Sequence, residues 1–156
     1  MAHRPAPGEP APAFEGVATD GSRVSLAGYR GRKLVLYFYP RDDTPHCTQQ
    51  ACSLRDHAAE LAQRGAAVLG VSTQGESSHQ AFTAKHRLNF PLLADRDGTV
   101  ARAYGVMGGA GLVSKLKAAL GLADRVTFVI DADGRIAHVI GKPDVSRHAD
   151  EVLALL

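Results

Sequence analysis

The chain has 156 residues, 45% hydrophobic and 22% charged, a length and balance that suit one compact domain and exclude a disordered, collagen-like or coiled-coil protein. Eighteen basic against 16 acidic residues leave a formal charge of +2, with both signs interspersed, so no basic stripe invites nucleic acid. Two cysteines are too few to staple such a chain, and apolar runs such as Leu34 to Tyr39 fall far short of a membrane span, which excludes a secreted disulfide framework and a transmembrane helix.

The first twelve residues hold Pro5, Pro7, Pro10 and Pro12, a density that no helix or inner strand tolerates, so residues 1–12 read as a mobile or extended arm and 13–156 as the folded unit. Prolines where a secretory signal needs a continuous apolar segment also point to a cytoplasmic location. Two short apolar stretches around Asp20-Gly21 predict a hairpin between Phe14 and Leu26. Lys33 to Tyr39, bounded by Gly31 and Pro40, is a continuous apolar and aromatic run, as expected of a central strand buried on both faces.

After a polar loop from Pro40 to His46, Cys47 to Arg64 sets Ala51, Leu54, Ala58 and Leu61 at helical spacing, with Gly65 as a stop. Ala66 to Ser72 predicts a second buried strand, and Ser77 to Leu88 a second amphipathic helix on Ala81, Phe82, Lys85 and His86. Strand, helix, strand in that order implies a parallel pair with a crossover connection. Pro91 to Leu93 leads to a turn at Asp95 to Gly98 and a short helix over Thr99 to Tyr104. Met107 to Leu122 reads as a helix or mobile flap loosened by Gly108, Gly109 and Gly111. Val126 to Ile130 and Arg135 to Ile140 form a hairpin about Asp133-Gly134, and Arg147 to Leu156 closes the chain as a helix. The expected architecture is α/β: a mixed sheet with a parallel centre, an antiparallel hairpin and helices on both faces.

Both cysteines follow the central strand, Cys47 in the first turn of its helix and Cys52 five positions on. Unpaired backbone N–H groups and the positive end of the helix dipole favour a thiolate at that turn, which makes Cys47 a candidate nucleophile, although a free cysteine is also commonly just a small buried hydrophobe. The spacing is not that of a Cys-x-x-Cys disulfide exchanger. On an ideal helix the two Cα atoms stand roughly 8 to 9 Å apart with side chains about 140° apart, so the sulfurs can bond only if the first turns unwind. A zinc site on His46, Cys47, Cys52 and His57 is the competing use, and it lacks a recognised ligand spacing.

The run Pro40-Arg41-Asp42-Asp43-Thr44-Pro45-His46-Cys47 resembles the PxxxTxxC motif of the peroxiredoxins, and with Cys52 it is similar to the bacterioferritin-comigratory or PrxQ subgroup. The opening APAFEG, the FPLLAD stretch, the RVTFVID strand and the closing helix fall in the same order, so the resemblance covers the chain from about Pro10 onward. It implies a thioredoxin-like fold and a peroxidase with Cys47 as peroxidatic and Cys52 as resolving cysteine. Thr44, Pro40 and Arg125 are its further site residues. It implies no cofactor, a hydroperoxide substrate, recycling by thioredoxin or a similar dithiol protein, and no membrane or nucleic-acid partner; a monomer is the expected state.

Each carry-over has a physical reason. A thiolate attacks one peroxide oxygen while the other leaves with growing negative charge, so donors must surround both. Thr44 can orient nucleophile and peroxide, its plain alternative being a helix N-cap. Pro40 would keep water from the thiolate, its plain alternative being a strand stop. Arg125, always charged, could stabilise the thiolate and hold the peroxide, its plain alternative being a solvated side chain. His46 stands where the subgroup often has glycine and reads as exposed. A redox switch using the same two cysteines is the alternative function; it needs two thiols but no peroxide pocket.

Overall fold

The computed structural model describes residues 3–108 and 111–156; Gly109 and the first two residues of the proline-rich arm lie outside the described residues. In chain order the elements are β1 (Glu15–Val17), β2 (Arg23–Ser25), β3 (Lys33–Phe38), α1 (Pro45–Asp56), α2 (Ala58–Gln63), β4 (Ala66–Ser72), α3 (Glu76–His86), β5 (Leu92–Ala94), α4 (Thr99–Ala103), α5 (Leu112–Ala119), β6 (Val126–Ile130), β7 (Ile136–Ile140) and α6 (His148–Leu153). β1 and β2 pair as the expected antiparallel hairpin, with Gly21 taking the positive φ of 84° that its turn requires.

The main sheet has five strands in the order β5-β4-β3-β6-β7. β3 is its middle strand, parallel to β4 and antiparallel to β6, and both its faces are covered, which is why it reads as an unbroken apolar run. Leu34, Leu36 and Phe38 join one apolar cluster with Val100 and Ala101 of α4, Tyr104 and Phe128. Val35, Tyr37 and the following Tyr39 join a second with Cys47, Ala51 and Leu54 of α1, Phe82 of α3 and Val152 of α6. Helices therefore lie on both faces, as expected of a thioredoxin-like mixed sheet. Tyr37 can lie flat across the second face because its register partner on β4 is Gly70, where a Cβ would stand 2.9 Å from the Tyr37 ring. Outside β7, Gly8 and Ala11 of the N-terminal arm donate backbone bonds to Ile136 and Gly134, and Ile136 donates to Glu9.

Two details depart from expectation, and a third resolves a segment that the sequence leaves open. The helix expected over Cys47 to Arg64 is two helices broken at His57, whose φ is −110°. The His57 ring bonds the Ser53 carbonyl at 2.8 Å, the acceptor that the His57 N–H would have used, and that N–H falls back to Leu54. In α3, Ala81 is exposed and the inward residues are Phe82 and His79, so the buried stripe is partly polar. Residues 112–119 do form a helix, α5, but it buries no residue: Leu112, Val113, Leu116 and Leu120 face solvent. Among the described residues no helix is long and apolar enough to cross a membrane.

Candidate active site

The site forms where β3 ends. The antiparallel register that sets Val126 opposite Phe38 brings Arg125 beside the strand end from which the loop to α1 departs. α1 starts with Pro45, favourable in the first turn because its missing N–H would have no partner there. Cys47 follows in that first turn. Together with Ala51 and Leu54, at spacings of one and two helical turns, it faces the sheet, and it is 1% exposed.

Arg125 spans one turn of that inward face. Its Nη2 donates to Cys47 Sγ at 3.2 Å and its Nη1 to Gln50 Oε1 at 2.7 Å. Two acceptors three residues apart fix the plane of the guanidinium, so its charge is directed at the sulfur. Gln50 is fully buried, and its Nε2 has no hydrogen-bond partner among the described residues. Burial pushes the Tyr37 hydroxyl well above its usual range, and negative charge at Cys47 adds to that push; this hydroxyl too is without a partner among the described residues.

Thr44 occupies the N-cap position with extended backbone, φ −86° and ψ 155°, yet its side chain makes no capping bond. Its hydroxyl instead donates to the Arg41 carbonyl at 3.3 Å, which leaves the N–H groups of the first turn without a side-chain cap and the positive end of the helix dipole uncovered. Pro40 is half-buried at the start of this loop. Cys52 is half-buried further along α1, and both thiols are free. His46 is exposed. Among the described residues no group of three or more His, Cys, Asp or Glu side chains is arranged to hold a metal ion.

Of the residues singled out by sequence, Cys47 and Arg125 are in direct contact, while Thr44 and Pro40 are set at the same helix end by chain connectivity and Cys52 stands apart on the helix. Three residues escaped the sequence reading: Gln50, Asp42 and His79, all buried. Gln50 was within reach of the argument, since it lies three positions after Cys47 on the same helical face. Asp42 and His79 were not, because nothing local signals that an acidic loop residue and a histidine 37 positions later meet inside the protein.

A family model described as AhpC/TSA matches residues 7–139. The chain is 41% identical over 149 residues to a putative peroxiredoxin Bcp of Coxiella burnetii, covering 96% of this chain and 97% of that relative. Among solved structures, peroxidoxin BcpB from Mycobacterium tuberculosis is similar at a TM-score of 0.83 and 35% identity, covering 98% of this chain and 96% of that one. The bacterioferritin comigratory protein of Xanthomonas campestris, described with an alkyl peroxide reduction activity, is similar at a TM-score of 0.82 and 30% identity, covering 99% and 96%. Motif, sheet order and relatives agree: the chain belongs to the AhpC/TSA family, in the branch of the Bcp and PrxQ peroxiredoxins.

Proposed function

We propose that the protein reduces hydrogen peroxide and organic hydroperoxides through Cys47, with Cys52 as resolving cysteine and a thioredoxin-like dithiol protein as reductant. The observation that carries this reading is the Arg125 guanidinium held 3.2 Å from the sulfur of the buried Cys47. A redox switch needs no such donor; an attacking thiolate and a departing alkoxide do.

In the first step the Cys47 thiolate attacks one peroxide oxygen. The O–O bond breaks, sulfur is oxidised to sulfenic acid, and the other oxygen leaves as alkoxide or hydroxide and takes up a proton. Arg125 and the Thr44 hydroxyl are the donors for those oxygens, and Pro40 keeps a competing N–H and water from the sulfur. In the second step the Cys52 thiol condenses with the sulfenic acid, forming the disulfide and releasing water. Because the two residues stand roughly 8 to 9 Å apart on an ideal helix, the first turns of α1 must open for that step. Two electrons from an external dithiol then restore both thiols. Residues 13–156 act in this reading as one unit, monomeric and cytoplasmic, with residues 1–12 as its arm. The decisive test is steady-state consumption of hydrogen peroxide and an alkyl hydroperoxide with a thioredoxin system: turnover lost in Cys47→Ser is expected, and turnover surviving that change overturns the assignment.

A further inference from the structure

The loop between β3 and α1 carries two adjacent aspartates that point to different places. The Asp42 side chain is 3% exposed, and the Asp43 side chain 43%. Asp43 takes a left-handed φ of 57°, strained for most residues but tolerated by Asp. Both carboxylates nevertheless reach one helix. Asp42 meets Ser78 and His79, Asp43 meets Lys85 and His86, and residues seven apart on a helix lie on the same face about two turns distant. The loop is thus laid along α3 and gripped at both ends of one face.

The inner grip is a buried hydrogen-bonded pair. His79 is fully buried, with Nδ1 2.7 Å from Asp42 Oδ2 and Nε2 3.1 Å from the Leu93 carbonyl on β5. The ring is thus held on both sides, by the loop carboxyl and by a backbone carbonyl of β5. The Tyr39 hydroxyl donates to Asp42 Oδ1 at 2.6 Å and the Ser78 hydroxyl to Oδ2 at 2.7 Å. Burial alone would raise the Asp42 carboxyl; the bonds from His79, Ser78 and Tyr39 outweigh it and hold that carboxyl below its ordinary value. The outer grip is Lys85 Nζ at 2.7 Å and His86 Nε2 at 2.9 Å from the Asp43 oxygens.

Thr44, next in the chain, has a hydroxyl whose one bond among the described residues lies within its own loop, to Arg41 at 3.3 Å. Its aim therefore depends on the loop backbone, and the loop backbone depends on α3. We propose that Asp42 and His79, seconded by Asp43 with Lys85 and His86, are positioning residues that hold the Pro40–Thr44 loop in register for peroxide attack at Cys47. This inference rests on the peroxidase reading above.

The test uses the full chain in its reduced form and two rates at Cys47: oxidation by hydrogen peroxide and alkylation by iodoacetamide. Alkylation needs the thiolate but no peroxide oriented by Thr44. Asp42→Asn and His79→Gln should slow peroxide oxidation by about 100-fold, the scale of an ångström-sized misplacement, while alkylation is unchanged. A lowered Tm with both rates intact means that the pair serves packing alone and overturns the proposal. Both rates falling together would place the effect on the thiol itself and overturn it as well. Should both buried variants fail to fold, Lys85→Met and Asp43→Asn at the exposed grip must slow oxidation without slowing alkylation, and the proposal falls if they do not. Wild-type protein inert to peroxide would sink the peroxidase reading first; wild-type oxidation matched by all variants sinks only the clamp.

Discussion

The two faces of β3 are built from neighbouring residues and do different work. On one side Leu34, Leu36 and Phe38 meet Tyr104, Phe128 and Ile130 in a cluster whose buried tyrosine hydroxyl finds the Pro12 carbonyl at 2.6 Å. On the other side Val35, Tyr37 and Tyr39 share their cover with Cys47, and the same region buries Gln50, Asp42, His79, Thr127 and His148. The apolar face is a matter of volume and transfer from water, where substitution of like for like is tolerated. The polar face is a matter of partners, because a donor or acceptor shut away from water is costly unless it is met, and there the Tyr37 hydroxyl and Gln50 Nε2 stand without a partner among the described residues. The proposed chemistry sits on the face where burial is costly, since a dry, partnered environment is what makes a guanidinium effective on a sulfur.

That contrast can be broken or sharpened experimentally. The largest effect belongs to Cys47→Ser, which should abolish peroxide turnover while Tm moves little, whereas Cys52→Ser should consume one equivalent of peroxide and stop at the sulfenic acid, as read by mass spectrometry. Arg125→Met should slow stopped-flow oxidation of Cys47 by about 10²- to 10³-fold, the scale for removing one preorganised donor; an unchanged rate would remove Arg125 from the site.

Oxidation to the disulfide should then separate the two faces dynamically. Amides from about Cys47 to Arg55 should lose hydrogen-exchange protection while Leu34 to Phe38 keep theirs, and equal protection of α1 in both redox forms would contradict the opening step.

On the apolar face, Ile130→Val removes one methylene from a residue that is 1% exposed and should cost about 0.5 to 1.5 kcal/mol by urea titration. Its peroxide rate should stay that of the wild type, although Ile130 shares β6 with the residues next to Arg125.

The smallest effect is one of pH. Burial holds the His148 ring below its ordinary value, against the opposing pull of Glu151. A histidine that binds its proton less readily when folded contributes stability that is full above its unfolded range, near pH 6.5, and is lost as pH falls below it. The urea midpoint should therefore drop between about pH 7.5 and about pH 5.5, less steeply in His148→Gln; an identical slope in that variant would exclude His148 as a source.

Local chemistry made much of this protein legible from its residues alone. The unbroken run of β3 implied burial on both faces, the crossover helix implied a parallel neighbour, and Asp20-Gly21 implied the hairpin. The spacing of Pro40, Thr44 and Cys47 marked the candidate site because those residues follow one another along a single turn and helix end. Side-chain competition for a helix carbonyl and contacts between distant segments were not legible. The break at His57 depends on a ring competing for one carbonyl, the exposure of α5 on what packs against it, and the Asp42–His79 pair on a loop lying along a helix 37 positions away. Period and propensity act over a few residues, so they specify elements and the faces those elements bury. Which polar side chains meet inside the protein is set by the register of β3 against β6 and by the path of the loop over α3, and only the tertiary fold decides both.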